Sequence, residues 1–378
     1  MVESPVDARL VALAPTRVAA LTDALLESFP PTHGVELVFA DIGVRVETNS
    51  PALAAELRGY WREFLAPAGE RPVVVTALQT PAVTFASPLV EPPLERGKKR
   101  VKERFLDLPD GRIVHKVRTG MVFAFGDGRH LGFGPCDENA NQIVNFVNNR
   151  LISLRLLQGD ALCHASGVAL GDVGLAMAGF AGAGKSTLSL HLMGHEADLR
   201  FVSNDRVLVS REAHEVRMRG IPKHPRVNPG TCLSNPRLSH IVASEDAARF
   251  RAMPVDELWD LEHKYDALID ECFGPGRFVP AARLSGFVVL AWSRHATTPT
   301  RLDVVDIADR PDLLEAIMKP AGLFHLPEGR SGGSPQPPDP AHYRRVLGDV
   351  PILAFSGRVD FDHASDACLA HLAAGARG

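Results

Sequence analysis

The sequence predicts a protein of the α/β class, in which an N-terminal α+β domain precedes a second domain built around a strand–loop–helix unit. Segments with strand-like alternation and segments with helical spacing of apolar residues follow one another along the 378 residues. A glycine-rich stretch, residues 179–186, lies between an apolar segment and an amphipathic one. The pattern changes near residues 150–160, so we place the domains at residues 1–155 and 156–378.

The composition narrows the class of protein. Hydrophobic residues make up 45% and charged residues 23% of the chain, as in ordinary globular proteins with a sizeable core. The net charge of -4 gives no global basic field, so we expect no nucleic-acid partner. No apolar run reaches the roughly 18 residues of a membrane helix, and no basic segment opens the chain, so we expect neither membrane insertion nor secretion. Five scattered cysteines fit buried thiols of a cytoplasmic protein.

The first domain is predicted from short alternating elements. Residues 7–30 and 52–64 have helical spacing, whereas residues 36–47 alternate as a strand does. Residues 73–78 and 83–85 are also predicted strands.

Turn signals predict a small meander of strands in the following stretch. They occur at residues 109–112 and 126–128. The basic run at residues 95–104 is either a solvated loop or a docking patch for an acidic partner. A run from residue 139 to about 157 is apolar over most of a helical surface, which predicts a buried helix.

The second domain begins with a strand, a turn and a second strand that leads into the glycine-rich stretch. These elements are residues 162–170, 171–174 and 175–178, followed by a helix at 186–193. Later segments are a flexible Pro/Gly/Ser-rich loop at 327–340, a strand near 351–355 and a closing helix near 363–373.

The glycine-rich stretch matches the pattern G-x-x-x-x-G-K-[ST] at Gly179, Gly184, Lys185 and Ser186. Glycines let consecutive N–H groups converge on phosphate oxygens, and the start of the following helix adds its positive dipole end. Lysine supplies a point charge, and the serine hydroxyl is suited to Mg²⁺. A glycine-rich turn without a ligand is the alternative. The predicted ATP-binding residues are Gly179, Phe180, Ala181, Gly182, Ala183, Gly184, Lys185, Ser186 and Thr187.

Two further residues are candidates for the chemistry. Asp205 closes the apolar stretch 199–205, where a triphosphate site holds a second magnesium contact or a base. It could instead cap a helix or a turn. His164 lies on the strand expected to pair with the one that feeds the loop, and it could contact the transferred phosphoryl group. A lone histidine on a strand is more often a satisfied core residue.

Residues 163–168, the glycine-rich stretch and residues 201–207, in this order, resemble the catalytic core of the HPr kinase/phosphorylase family. The resemblance implies a fold like that of HPr kinase and phosphoenolpyruvate carboxykinase, a P-loop kinase core with a mixed sheet flanked by helices. It implies that Asp205 is the catalytic base and that His164 belongs to the active site. Residues 139–150 and 219–230 look most similar to the subgroup called HprK-related kinase B.

Two positions depart from the family pattern. Arg217 stands where an acidic metal ligand is expected, and Glu215 or Glu262 could substitute. Ala267 stands where an active-site arginine is expected, and Lys264 could supply the charge. These departures argue against phosphorylase activity and against HPr as the substrate.

Four positive charges lie beside three prolines after the glycine-rich stretch. Prolines stiffen a loop, so the charges could clamp a triphosphate or an acidic acceptor. A surface loop with solvated charges is the alternative. The four residues are Arg217, Arg219, Lys223 and Arg226.

The sequence thus predicts an ATP-dependent phosphotransferase acting on a hydroxyl acceptor, with a protein serine favoured. Lys185 would hold phosphates, Ser186 and Asp205 would bind Mg²⁺, and Asp205 and His164 would serve the transfer. A small-molecule kinase of the same fold and a nucleotide-gated binding module with decayed catalysis are the alternatives. Proteins of the family that the chain resembles form ring-like oligomers, so the resemblance also suggests a homo-oligomer.

Overall fold

A computed structural model describes residues 13–93, 100–180, 182–195, 198–254, 257–258, 261, 263–327, 332–333 and 335–377. The chain divides into two compact units, Met1–Leu157 with Pro320–Pro337, and Gln158–Lys319 with Pro338–Gly378. We call them the N-terminal unit and the C-terminal unit. Each contains a mixed sheet and helices, so the fold is mixed α/β.

The N-terminal unit contains a seven-stranded sheet in the order β1-β2-β3-β7-β6-β5-β4. The pairs β2–β3 and β3–β7 are parallel, and the other neighbours are antiparallel. The elements are α1 (Val18–Ser28), β1 (His33–Phe39), β2 (Ile42–Thr48), α2 (Pro51–Tyr60), β3 (Val73–Gln79), β4 (Glu103–Leu108), β5 (Gly111–Lys116), β6 (Val122–Gly126), β7 (Arg129–Gly134) and α3 (Ala140–Leu157).

Three predicted elements of this unit are wrong in detail. Of the predicted helix 7–30, the part before residue 13 lies outside the described residues, and α1 begins only at Val18, where Asp110 accepts the first N–H groups. The predicted strand 36–47 is a hairpin that turns at Ala40, because its alternation continues on both sides of the turn. Residues 83–85 contribute one bridge, between Phe85 and Leu13.

The segment Pro320–Pro337 supplies part of the core of the N-terminal unit. The ring of Phe324 packs against Phe123 and Phe125, with 5.7 Å between ring centroids in both pairs. The buried guanidinium of Arg112 pairs with Asp107 and donates to the carbonyl oxygens of Leu323 and Gly333. Buried Arg150 donates to the Phe324 carbonyl and lies over the Phe125 ring. Two buried charges therefore depend on this segment.

The C-terminal unit contains a mixed sheet in the order β11-β9-β10-β16-β13-β12-β8, with β18 beside β16 and β17 beside β18. The pairs β10–β16 and β16–β18 are parallel. The strands are β8 (Ala161–Cys163), β9 (Ala165–Leu170), β10 (Val173–Gly179), β11 (Leu199–Ser203), β12 (Val207–Glu212), β13 (Glu215–Arg219), β14 (Arg226–Val227), β15 (Tyr265–Asp266), β16 (Ala281–Leu290), β17 (Arg301–Val305) and β18 (Ile352–Ser356).

Helices cover this sheet. They are α4 (Lys185–His195), α5 (Pro229–Ser234), α6 (Ser244–Arg251), α7 (Ile269–Phe273), α8 (Pro311–Ile317), α9 (Pro340–Leu347) and α10 (Phe361–Gly375). Every residue of β10 is buried, as expected for a central strand with both faces covered. No helix within the described ranges is long and apolar enough to cross a membrane.

The predicted strand 162–170 is wrong at one residue, His164. The strand divides there: β8 pairs with β12, whereas β9 pairs with β10 and β11. The backbone N–H of His164 points away from the sheet hydrogen bonds and donates to the Ile317 carbonyl oxygen at 2.7 Å. A mostly apolar, strand-like run does not reveal that the chain passes from one place in the sheet to another. His164 is therefore at a strand break rather than within a strand.

Candidate functional site

The loop between β10 and α4 has the backbone conformation that its glycines allow. Gly182 and Gly184 have φ angles of 78° and 94°, in the left-handed region that favours glycine. A Cβ atom at Gly184 would also lie 2.6 Å from the ring of Phe361. Ala181 lies outside the described residues, and Phe180 is 53% exposed.

Side chains from both ends of the C-terminal unit hold this loop. Lys185 Nζ donates to the Gly179 carbonyl at 2.8 Å, and Trp292 Nε1 donates to the Ala183 carbonyl at 2.8 Å. The rings of Trp292 and Phe361 are in edge contact. Ser166 donates to the Lys185 carbonyl, at the first turn of α4. The loop backbone is thus fixed on two sides.

Asp205 lies beside one imidazole and two cationic side chains just beyond the end of β11. Its carboxylate is 3.2 Å from His164 Nε2, 3.2 Å from Lys319 Nζ and 3.7 Å from Arg206 Nε. Burial by itself would raise its pKa, but the His164 hydrogen bond and the charges of Lys319 and Arg206 outweigh burial, and the pKa lies well below the usual range. The carboxylate is therefore ionised at neutral pH.

Two lysines near Asp205 have lowered pKa values. Burial, with the nearby charge of Lys319, lowers the pKa of Lys185 to about 8. Burial, with the charges of Arg206 and Arg226, lowers the pKa of Lys223 to about 8. Burial disfavours the charged form of an amine. An anion in the cavity would favour that form.

One cavity of about 490 Å³ brings most of the predicted site residues together. Of the predicted residues, its lining contains His164, Gly182, Gly184, Lys185, Ser186, Thr187 and Asp205. Phe180 and Ala183 line a second cavity of about 220 Å³, which shares Gly182 and Arg294 with the first. Gly179 lines neither, and its carbonyl holds Lys185 instead.

The four predicted clamp residues separate into two pairs. Lys223 and Arg226 line the main cavity. Arg217 and Arg219 lie on β13 and are outside its lining: Arg217 pairs with Glu215 at 3.1 Å, and Arg219 donates to Ser210 at 2.6 Å. A clamp of all four is therefore wrong, because the strand directs two of them to other partners.

Glu215, Glu262 and Lys264 were predicted as substitutes for an acidic metal ligand and an arginine, and they lie in different places. Glu215 bonds Arg217 and is not among the cavity-lining residues. Glu262 lies outside the described residues. Lys264 lines the cavity, while Ala267 is buried.

Several residues of the cavity were not predicted. Arg206 and Asn204 flank Asp205 within the segment that carried the resemblance, so a local signal existed. Lys319 is not among the lining residues, but it follows α8 and reaches Asp205 from a distant part of the chain, so no spacing could have identified it. The other unpredicted lining residues are Ser203, Ile221, His224, Val227, Asn228, Thr231 and Arg294.

The fold and cavity define a mixed α/β protein with a cationic site on a strand–loop–helix unit. No family model and no curated protein matches the chain. Among solved structures, the Hpr(Ser) kinase/phosphatase from Coxiella burnetii is similar to it, with 12% sequence identity and a TM-score of 0.28. The match covers 57% of this chain and 95% of that chain. Because the likeness is distant, it identifies neither the family nor the activity.

Proposed function

We propose that the chain is an ATP-dependent phosphotransferase that moves the γ-phosphoryl group to a hydroxyl acceptor, with a protein serine as the favoured acceptor. The observation that carries the proposal is the convergence of Lys185, Asp205 and His164 on one cavity beside a glycine loop. These residues come from three separate places in the C-terminal unit. The cavity volume of about 490 Å³ also falls in the range of roughly 300–1,000 Å³ common for ligand sites.

The β- and γ-phosphates would bind the loop amides, the start of α4 and Lys185. Amide groups at a helix N-terminus and an adjacent ammonium attract phosphate oxygens. The pKa values of Lys185 and Lys223, which burial lowers to about 8, support this arrangement, because a nearby anion favours the charged form of a buried amine. A bound polyphosphate would return both lysines to full protonation.

The oxygen donors in the cavity fit Mg²⁺. Ser186 and Asp205 both line it, and Asp205 is the one acidic residue among its described lining residues. The Asn204 Oδ1 atom is buried and accepts no hydrogen bond from the described residues, so it is available to a ligand or to bound water. Mg²⁺ commonly takes one or two protein oxygens and completes its shell with phosphates and water. When bound with ATP, it would neutralise phosphate charge.

Asp205 would accept the proton of the acceptor hydroxyl. The hydroxyl oxygen bonds to the γ-phosphorus while the bond from that phosphorus to the β–γ bridging oxygen breaks, and ADP leaves with that electron pair. His164 would orient Asp205, which it contacts at 3.2 Å. A low carboxyl pKa makes a weak base, which suffices where the transition state is loose and the proton leaves late. Lys185 would offset the charge on the transferred group.

Two substitutions separate binding from transfer. We expect Lys185→Ala to abolish tight ATP binding, because it removes the phosphate-facing charge. We expect Asp205→Asn to keep ATP binding and lose turnover, because the amide cannot take the proton. Isothermal titration measures the first effect, and transfer of radiolabelled phosphate to a serine-containing protein panel measures the second. Asp349→Asn, at a 95% exposed carboxylate, is the control. Phosphoryl transfer by Asp205→Asn at the wild-type rate would contradict the role of Asp205 as the base.

A second candidate function is a nucleotide-gated binding module. The low pKa of Asp205 favours it, because a strongly stabilised carboxylate is a poor base. ATP turnover that disappears on replacement of Asp205 would rule this candidate out. Within the kinase proposal, a metabolite screen beside the protein panel distinguishes a small-molecule hydroxyl from a protein serine.

A further inference from the structure

Two histidines and an aspartate converge where α4 ends. His191 Nε2 and His195 Nε2 are 2.8 Å apart, and His191 Nε2 is 3.2 Å from Asp362 Oδ1. One ligand atom from each of the three residues lies within 4.8 Å of the other two. None of the three is among the lining residues of either cavity described above. The cluster is therefore separate from the proposed nucleotide site.

The fold presents these three side chains together. His191 and His195 are four residues apart in α4, so they share one face of the helix. Asp362 lies in the first turn of α10. Its side chain is 87% exposed and that of His191 is 27% exposed, so solvent ions can reach the group. Two imidazole nitrogens that face each other can share either one proton or one cation.

We propose that His191, His195 and Asp362 form a binding site for a divalent transition-metal ion of the Zn²⁺ class. Two imidazole nitrogens and one carboxylate oxygen suit Zn²⁺ and its neighbours, whereas Mg²⁺ and Ca²⁺ prefer oxygen ligands alone. Water would complete a tetrahedral shell. Such an ion would fasten the first turn of α10 to the end of α4.

This link bears on the glycine loop. Asp362 directly follows Phe361, whose ring lies against Gly184 and in edge contact with Trp292. Trp292 in turn holds the Ala183 carbonyl. An ion on Asp362 therefore fixes the end of the helix that supports the loop, without touching the loop itself.

The test is a titration of the full-length, untagged, metal-free chain with Zn²⁺ alone, in competition with a chromophoric chelator. We expect one Zn²⁺ per chain, and affinity at least roughly tenfold weaker in His195→Ala and in Asp362→Ala. His214→Ala and Asp349→Ala are matched controls that remove an exposed histidine and an exposed carboxylate elsewhere; both should bind as wild type does. The five cysteines are buried, so thiols of the folded chain do not compete.

Co²⁺ gives an independent readout, because its visible absorption reports the number and type of ligands. The wild-type spectrum should change in His191→Ala and not in His214→Ala. Equal Zn²⁺ affinity in wild type and His195→Ala would overturn the site, as would wild-type chain that takes up no Zn²⁺. Circular dichroism checks the fold of each variant, and His195→Gln repeats the test with a side chain of similar size. No nucleotide is present, so the outcome is independent of the proposed kinase activity.

Discussion

At the scale of single residues, two lysines of the cavity, Lys185 and Lys223, would give the proposed ATP binding a defined pH dependence. Burial holds the pKa of Lys185 and of Lys223 at about 8 in the free protein. A bound polyphosphate raises both pKa values, so binding takes up protons when the pH exceeds 8. Affinity must therefore fall as the pH rises through 8. Between pH 7 and pH 9 we expect a loss of roughly tenfold for each lysine.

Isothermal titration of Mg–ATP at pH 7, 8 and 9 measures this loss. Lys223→Arg is the matched variant, because a guanidinium keeps its charge throughout this range. It should retain only the part of the pH effect that belongs to Lys185. A flat affinity between pH 7 and pH 9 in the wild type would show that neither lysine faces the phosphates.

The residues of the site differ in how far the sequence can identify them. Lys185 and Ser186 belong to a local motif of fixed spacing, so a pattern of eight residues is enough to locate them. Lys319 contacts Asp205 only because α8 ends beside it. Such a contact depends on the packing of distant segments, which no spacing encodes.

At the scale of secondary structure elements, the start and the end of α4 respond oppositely to the same substitution. Gly184, just before the helix, has a φ of 94° and lies against Phe361, so we expect Gly184→Ala to displace the loop and weaken ATP binding at least roughly a hundredfold. Gly194, in the last turn, has room for a Cβ atom, which would make an ordinary van der Waals contact with the amide of Asn235 at 3.7 Å. Gly194→Ala should keep ATP binding and stabilise the protein by about 0.5–1 kcal/mol.

Calorimetric titration and urea unfolding of both variants check this contrast. ATP binding by Gly184→Ala at wild-type affinity would mean that the loop conformation is not needed for the ligand. A destabilised Gly194→Ala would mean that this turn is not regular helix.

Helices and strands were predicted correctly where the spacing of apolar residues and the turn residues indicated the same bounds. The buried helix at 139–157 and the strand near 351–355 are confirmed as α3 and β18. The errors at Ala40 and His164 have one cause: apolar alternation continues through a change of direction. The spacing of apolar side chains predicts which face of a strand is buried. It carries no information about which strand pairs with it.

At the scale of the whole molecule, the N-terminal unit is built from two separated parts of the chain. Without Pro320–Pro337, Arg112 and Arg150 lose their carbonyl partners, and the core loses Phe324. Leaving a buried donor without its hydrogen-bond acceptor costs about 1–3 kcal/mol, and more for a charged group. We therefore expect a fragment of residues 1–157 to be unstable or unfolded, and a peptide of residues 320–337 to stabilise it.

Thermal unfolding of the fragment with increasing peptide measures this effect, since the peptide binds only the folded form. A peptide with Phe324→Ala is the control and should stabilise the fragment much less. A fragment that unfolds at the same temperature with and without the peptide would contradict the expected role of the segment.

The same arrangement delays completion of the N-terminal unit during synthesis. About 160 residues of the C-terminal unit separate the two parts of the N-terminal unit. At about 5–20 residues per second, a ribosome takes roughly 10–30 s to cross that interval. During this time Phe125 and Phe146 have been made, and their partner Phe324 has not. The nascent chain therefore carries an unfinished aromatic core for many seconds, and exposed apolar surface of this kind favours aggregation.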